Sequence, residues 1–153
     1  MRFLELKIPP PLVTLCFAFL MWLVSSASTP FAVPYPLRLS VALVLVFVGV
    51  SAGLAGVVSF RRAKTTVNPL KPAAASSLVN SGIYRMTRNP MYLGMLLQLL
   101  GWAVYLSNAV AFLFVPLYVL YLNRFQIAPE EQALFALFGA DFTAYKDKVR
   151  RWI

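Results

Sequence analysis

The sequence predicts an all-α fold: an integral membrane four-helix bundle with a cytoplasmic C-terminal amphipathic helix. Three observations carry that prediction. Of the 153 residues, 60% are hydrophobic and 12% charged, against roughly 45–50% and about 25% in an ordinary soluble domain. Four long apolar stretches follow one another along the chain. Finally, thirteen of the fourteen basic residues fall before the first stretch, between the second and third, or at and beyond the end of the fourth. The positive-inside rule places those three segments, and with them both termini, in the cytoplasm. Both termini on one side require an even number of spans, which four satisfies.

The elements follow in order. The first span covers about 12–27, behind Pro9, Pro10 and Pro11. Arg2, Lys7, this apolar run and Ser25-Ser26-Ala27 also form the pattern of a cleavable secretory signal; the charge distribution is consistent with a retained helix. The second span, 37–60, carries no charge after Arg38 and meets the length of about 20 apolar residues that a crossing needs. Its Gly49, Gly53 and Gly56, with Ser51, Ala52 and Ala55, form a small-residue face for close packing against another helix of the chain. A cytoplasmic loop, 61–90, comes next. The third and fourth spans, 91–106 and 110–125, flank Ser107-Asn108, so they read as a tight helical hairpin. From 129 to 150, Leu134, Phe135, Phe138, Phe142, Tyr145 and Val149 recur at three- and four-residue spacing. This is an amphipathic helix, bent at Gly139, lying on the inner leaflet or capping the bundle. The whole of 1–153 is expected to form one domain.

Composition also excludes chemistry. There is no histidine, which removes imidazole bases, His-ligated metals and Ser-His or Cys-His nucleophiles. The single cysteine, Cys16, sits in an apolar run, so no intrachain disulfide or zinc cluster is expected. The net charge of +9 fits membrane topology and anionic lipid headgroups better than nucleic acid. Only five acids exist, Glu5, Glu130, Glu131, Asp141 and Asp147. The adjacent pair Glu130-Glu131 falls just beyond the last span. Neighbouring helical residues do not face each other, so the two should have different roles, and the pair is too small for a carboxylate metal site. Asn89-Pro90 and Pro129 each have the form of a helix start, with Asn89 as a capping residue and each proline suited to the first turn.

Ser81-Gly82-Ile83-Tyr84 and Arg88-Asn89-Pro90-Met91-Tyr92-Leu93-Gly94 resemble the Gly-x-Tyr … Arg-His-Pro-x-Tyr-x-Gly motif of the isoprenylcysteine carboxyl methyltransferase family, which is related to the membrane phospholipid methyltransferases. A second block is similar too: Pro129-Glu130-Glu131-Gln132-Ala133-Leu134, then Phe138-Gly139, Phe142, Tyr145 and Val149-Arg150-Arg151-Trp152. The resemblance runs from about residue 65 onward, and the first two helices match only as apolar spans. It implies a membrane methyltransferase using S-adenosylmethionine. Cofactor contacts would fall on Ser76, Ser77, Leu78, Val79, Tyr84, Asn89, Pro90, Met91, Tyr92 and Glu130, with Asn89, Tyr92 and Glu130 at the reacting centre. The acceptor would be a lipophilic or lipidated molecule within reach of the bilayer, at a bacterial inner membrane.

Two positions depart from the family pattern. Asn89 stands where the motif has histidine, and an amide takes no proton. Gln126 stands where the eukaryotic enzymes carry an arginine for the substrate carboxylate. Arg124 lies nearby, so Arg124 and Gln126 are the candidate acceptor contacts. Two other functions compete: an NADPH-dependent sterol-type membrane reductase, whose related block has Asn at the position of Met91, and a non-catalytic four-helix membrane protein.

Overall fold

The computed structural model describes residues 5–65 and 75–153. Arg2, Lys71 and residues 66–69, near the start of the family resemblance, fall outside them. Among the described residues the chain is entirely helical, without a strand. Its helices are α1 (Pro10–Ser26), α2 (Tyr35–Arg62), α3 (Pro90–Leu106), α4 (Ala109–Leu122) and α5 (Ala128–Lys148). A short 3-10 turn, Gly82–Arg85, lies in the loop before α3. Helices α1, α2 and α3 each carry a proline in the first turn, where the missing N–H has no partner to lose.

One expectation is corrected here. The spans and the C-terminal helix were expected to be separate, with a helix start at Pro129. Instead α4 passes into α5 through a π-helical turn, Asn123–Ile127. The cause is Pro129. With no N–H it cannot bond the Phe125 carbonyl one turn back. The ladder widens there, and the Ala128 N–H reaches back to the Asn123 carbonyl. The freed Phe125 carbonyl accepts from the Leu6 N–H at 3.1 Å. Two further bonds fasten the same segment: Gln126 Nε2 donates to the Ile8 carbonyl at 2.8 Å, and Arg124 pairs with Glu5 at 2.7 Å. The start of the chain is thus strapped to the π turn.

The α3–α4 hairpin forms where expected. Ser107 takes a left-handed conformation with φ 51°, and Asn108 Oδ1 caps α4 by accepting from the Val110 and Ala111 N–H groups at 2.9 and 3.3 Å. The α1–α2 connection joins this end through Phe31 N–H to the Ser107 carbonyl, 2.6 Å. Arg38 also lies at this end, over the rings of Tyr35 and Tyr105. At the other end, Phe60 at the close of α2 meets Tyr84 edge-on. Arg61 and Arg62 close α2 there, and Arg88 bonds the Lys146 and Val149 carbonyls near the end of α5.

Packing is inverted relative to a soluble protein. Met21, Leu99, Ala103, Tyr118 and Leu122 are buried between helices, yet Phe47 is 73% exposed and Leu15 67%. Outward apolar faces of this extent suit lipid. Helix α2 and the α4–α5 rod are long and apolar enough to cross a membrane, while α1 and α3 are apolar helices of 17 residues each. The small-residue face of α2 packs within the chain, against α3. A side chain on Gly49 would meet the Gly94 carbonyl, and one on Gly56 would meet Met91 Cγ at 2.9 Å. This contact sets the head of α3, and the residues it carries, against the end of α2.

Gly94→Ala is therefore expected to lower the thermal midpoint in detergent, because its Cβ meets the Gly49 and Gly53 backbones; overpacking of this kind costs about 1–3 kcal/mol. Gly53→Ala, whose Cβ has open space, should leave the midpoint unchanged or raised. Equal loss in both variants contradicts the packing.

Candidate active site

A cavity of about 290 Å³ opens at the basic end of the bundle, near the lower end of the roughly 300–1,000 Å³ of small-molecule sites. Every helical rod contributes. Pro10 and Pro11 come from α1, Val57 and Phe60 from α2, and Met91, Tyr92 and Met95 from α3. Glu130, Glu131, Leu134, Phe142 and Tyr145 come from α5, and Ser77, Leu78, Val79, Tyr84, Arg88 and Asn89 from the loop. Its walls grade from apolar, on the helices, to polar, where Arg88, Asn89 and the two glutamates meet.

Of the residues expected at a cofactor site, Ser77, Leu78, Val79, Tyr84, Asn89, Met91, Tyr92 and Glu130 are brought together here. Ser76 is not: it is exposed, its N–H bonds Thr65 Oγ1 and its hydroxyl bonds the Lys64 carbonyl, which turns it toward the end of α2. Pro90 is buried against Gly56 and lines no part of the cavity. Arg124 and Gln126 are also elsewhere. Their side chains are spent on Glu5 and Ile8, in the strap over the π turn. That strap holds the chain just before Pro10 and Pro11, so the two residues bear on the cavity through the wall of α1. Met95, Leu134, Phe142 and Tyr145 were not picked out as site residues from sequence. Leu134, Phe142 and Tyr145 belong to the second block of the family resemblance, but their place on an apolar helix face does not separate a cavity wall from a core, and that face is the one signal Met95 carries.

The two glutamates part as helix geometry requires. Glu130 accepts a hydrogen bond from the Tyr92 hydroxyl. Glu131 is gripped by two guanidiniums, Arg88 at 2.7 Å and Arg151 at 2.6 Å. Burial pushes both carboxyls up. For Glu131 the two arginines outweigh burial and hold it below the ordinary value. For Glu130 burial dominates, helped by the neighbouring Glu131 charge and only partly offset by Tyr92, and its pKa is pushed up to about 8. No cation pairs with Glu130 among the described residues. Burial likewise raises Tyr84, and raises Tyr145 to about 12, so both stay neutral phenols. The Tyr145 hydroxyl donates to the Tyr84 carbonyl at 2.8 Å, fixing the 3-10 turn against α5.

Asn89 sits at the head of α3 as expected, but its side chain makes no capping bond. Nδ2 donates instead to the Arg151 carbonyl at 2.9 Å. The expected cap is displaced by a long-range partner. The Nε of Arg88, in a residue of the same wall, is buried with no acceptor among the described residues. No group of three or more His, Cys, Asp or Glu able to hold a metal occurs among the described residues.

Fold and site together define a helical membrane protein with an amphipathic cavity at the basic end of its bundle. The phospholipid methyltransferase family profile matches residues 37–141, well over half of the chain, and the chain belongs to that family. The matched stretch contains Tyr84, Asn89, Tyr92, Glu130 and Glu131, and leaves α1 and the last turns of α5 outside. An uncharacterized protein of Haemophilus influenzae is 49% identical over 63 residues, which are 41% of this chain and the whole of that protein. No solved structure matches the chain.

The raised pKa of Glu130 has a consequence for stability. Its pKa is about 8 in the folded chain against 4.5 for an unperturbed glutamate, so the folded state holds the proton that the unfolded state has released between those values. Stability should therefore fall as pH rises from about 5 to 8. Thermal midpoints across this range should decline in the wild type and less steeply in Glu130→Gln. Parallel profiles contradict a protonated Glu130.

Proposed function

We propose that the cavity binds S-adenosylmethionine and that the chain methylates a lipophilic or amphipathic acceptor at the cytoplasmic membrane face. The observation that carries this is the unequal treatment of the two carboxyls. Glu131 has two cationic partners; Glu130, on the same wall, has only a phenol. A buried carboxylate without a counter-charge is costly, and a cationic ligand removes that cost. S-adenosylmethionine supplies a sulfonium-activated methyl group, an ammonium and a carboxylate. The donor set fits it. Glu130 is an acceptor for the ammonium or a ribose hydroxyl. Arg88 Nε is an unclaimed donor for a carboxylate. The rings of Tyr84 and Tyr92 offer faces that attract cations. The backbone at Ser77, Leu78 and Val79, on the cavity wall, would read a base edge.

The chain's contribution to the reaction is to place and to dry its reactants. An activated methyl group needs alignment and exclusion of water more than a nucleophilic side chain, in keeping with a chain that lacks histidine. Asn89 and Met91 border the reacting region, and Val57, Phe60 and Met95 give the acceptor an apolar wall continuous with the spanning helices. Tyr92 holds Glu130 in place by donating its hydroxyl to the carboxyl. Arg124 and Gln126 bond Glu5 and Ile8 outside the cavity, so neither is available there to hold an acceptor carboxylate. In this reading the four helical rods all cross the membrane, both termini are cytoplasmic, the exposed Phe135 and Leu137 of α5 rest on the inner leaflet, and residues 1–153 act as one domain in a bacterial inner membrane.

Isothermal titration with S-adenosylmethionine tests the proposal. Glu130→Gln should weaken binding about tenfold or more, about 1.4 kcal/mol. Because a cation favours the ionised carboxylate, wild-type affinity should increase as pH approaches about 8, and the Gln variant should lose that dependence. Glu131→Gln should act mainly on the thermal midpoint, since it strands two guanidiniums. Equal affinity in wild type and Glu130→Gln, or binding of NADPH in place of S-adenosylmethionine, would refute the proposal.

A further inference from the structure

Asn89 occupies the N-cap position of α3 and declines to cap it. Asparagine is among the best N-caps, its oxygen accepting from an N–H two or three residues on. Here its Nδ2 reaches the carbonyl of Arg151, 62 residues away in sequence. The segment that receives this bond is held at several other points. The Arg88 N–H donates to the Arg150 carbonyl at 3.0 Å, and Arg88 Nη1 to the Val149 carbonyl at 2.6 Å. Thr87 Oγ1 donates to the Arg151 carbonyl at 3.3 Å, and Trp152 Nε1 to Asn123 Oδ1 at 3.2 Å. The Arg151 side chain closes the arrangement on Glu131.

Residues 149–152 line no part of the cavity, whereas Arg88, Asn89 and Glu131 do. The C-terminal segment is therefore a brace attached to three residues of the cavity's polar wall. Its bonds to Arg88 and Thr87 use groups that would exist with any residue at 89. The bond from Asn89 is the one that links the brace to the first turn of α3, which carries Met91 and Tyr92.

We propose that residue 89 is a latch: its side-chain N–H docks the C-terminal segment on the Arg88–Asn89–Glu131 wall and so sets the ligand affinity of the cavity, as a positioning residue. What the position requires is a donor at amide reach, not a base and not a cap. Histidine, which the related motif carries here, offers a ring N–H and meets the same requirement. Aspartate has the shape of asparagine and caps helices as well, but has no donor and sets a negative charge against the Arg151 carbonyl. Serine also caps, but its hydroxyl is too short to reach.

For its affinity arm this inference rests on the S-adenosylmethionine reading above; its structural arm does not. Full-length wild type, Asn89→Asp, Asn89→Ser and Asn89→His in micelles should be compared by thermal melting, by hydrogen exchange of a peptide spanning 149–153, and by titration with S-adenosylmethionine. Asp and Ser should keep the thermal midpoint, exchange the C-terminal peptide faster, and bind about fivefold or more weakly, the effect of one lost hydrogen bond. His should restore slow exchange and recover most of the affinity. Unchanged exchange in the Asp and Ser variants overturns the latch, as does a His variant that exchanges as fast as they do. If the wild type takes up no S-adenosylmethionine, the reading of the cavity fails, and the exchange data still decide the latch.

Discussion

A proline inside a continuous helix organises this molecule. Pro129 cannot donate to the Phe125 carbonyl, and the chain answers in two ways. It widens the ladder into a π turn, and it captures the freed carbonyl with the Leu6 N–H. The first response carries the helix on without a break, so that Glu130 and Glu131 reach the cavity from the rod that also builds the core. The second pins the segment ahead of α1, which brings Pro10 and Pro11 to the cavity wall. Gln126, buried within the π turn, adds its bond to Ile8. A π turn interposed in an α-helix often marks a functional site; here it lies immediately before the two acids that face the cavity.

Charge is distributed with equal economy. The polar wall holds two carboxyls side by side, and only one has cations assigned to it. Arg88 and Arg151 neutralise Glu131, leaving Glu130 to Tyr92. Had both glutamates been paired, the cavity would have no unmet electrostatic demand. Had neither been paired, two buried like charges would oppose the fold. The proposed cationic ligand supplies what the protein withholds from Glu130. The glycine contacts between α2 and α3 serve the same end at a distance, because they let the head of α3 approach closely enough for Tyr92 to meet the rod that bears Glu130.

Much of this was legible in the sequence, for identifiable reasons. The apolar helices begin and end within about three residues of their apolar runs, because hydrophobicity and proline placement are local signals. Ser107-Asn108 turns as read, and Gly139 breaks α5 with φ 47°, since both rest on local backbone preference. Illegible features all depend on partners far along the chain. Pro129 reads as a helix start when only its neighbours are considered; the Leu6 N–H that makes an interior proline tolerable lies more than a hundred residues earlier. Asn89 reads as a cap until Arg151 is brought beside it. Arg124 and Gln126 read as acceptor contacts until Glu5 and Ile8 claim them. The residues gathered at the cavity were foreshadowed by motif resemblance rather than by chemistry, which gave no ground for preferring Glu130 to Glu131.

The central claim is that Glu130 is held as a protonated carboxyl and releases its proton to solvent when a cationic ligand binds beside it. Infrared difference spectroscopy at about pH 7, below the raised pKa of about 8, measures this directly, since a ligand that favours the charged form draws the titration downward. On addition of S-adenosylmethionine the wild-type protein should lose a protonated-carboxyl band and gain a carboxylate band, and Glu130→Gln should show neither change. A wild-type spectrum with no carboxyl change on saturation, or the same change in Glu130→Gln, would contradict the account.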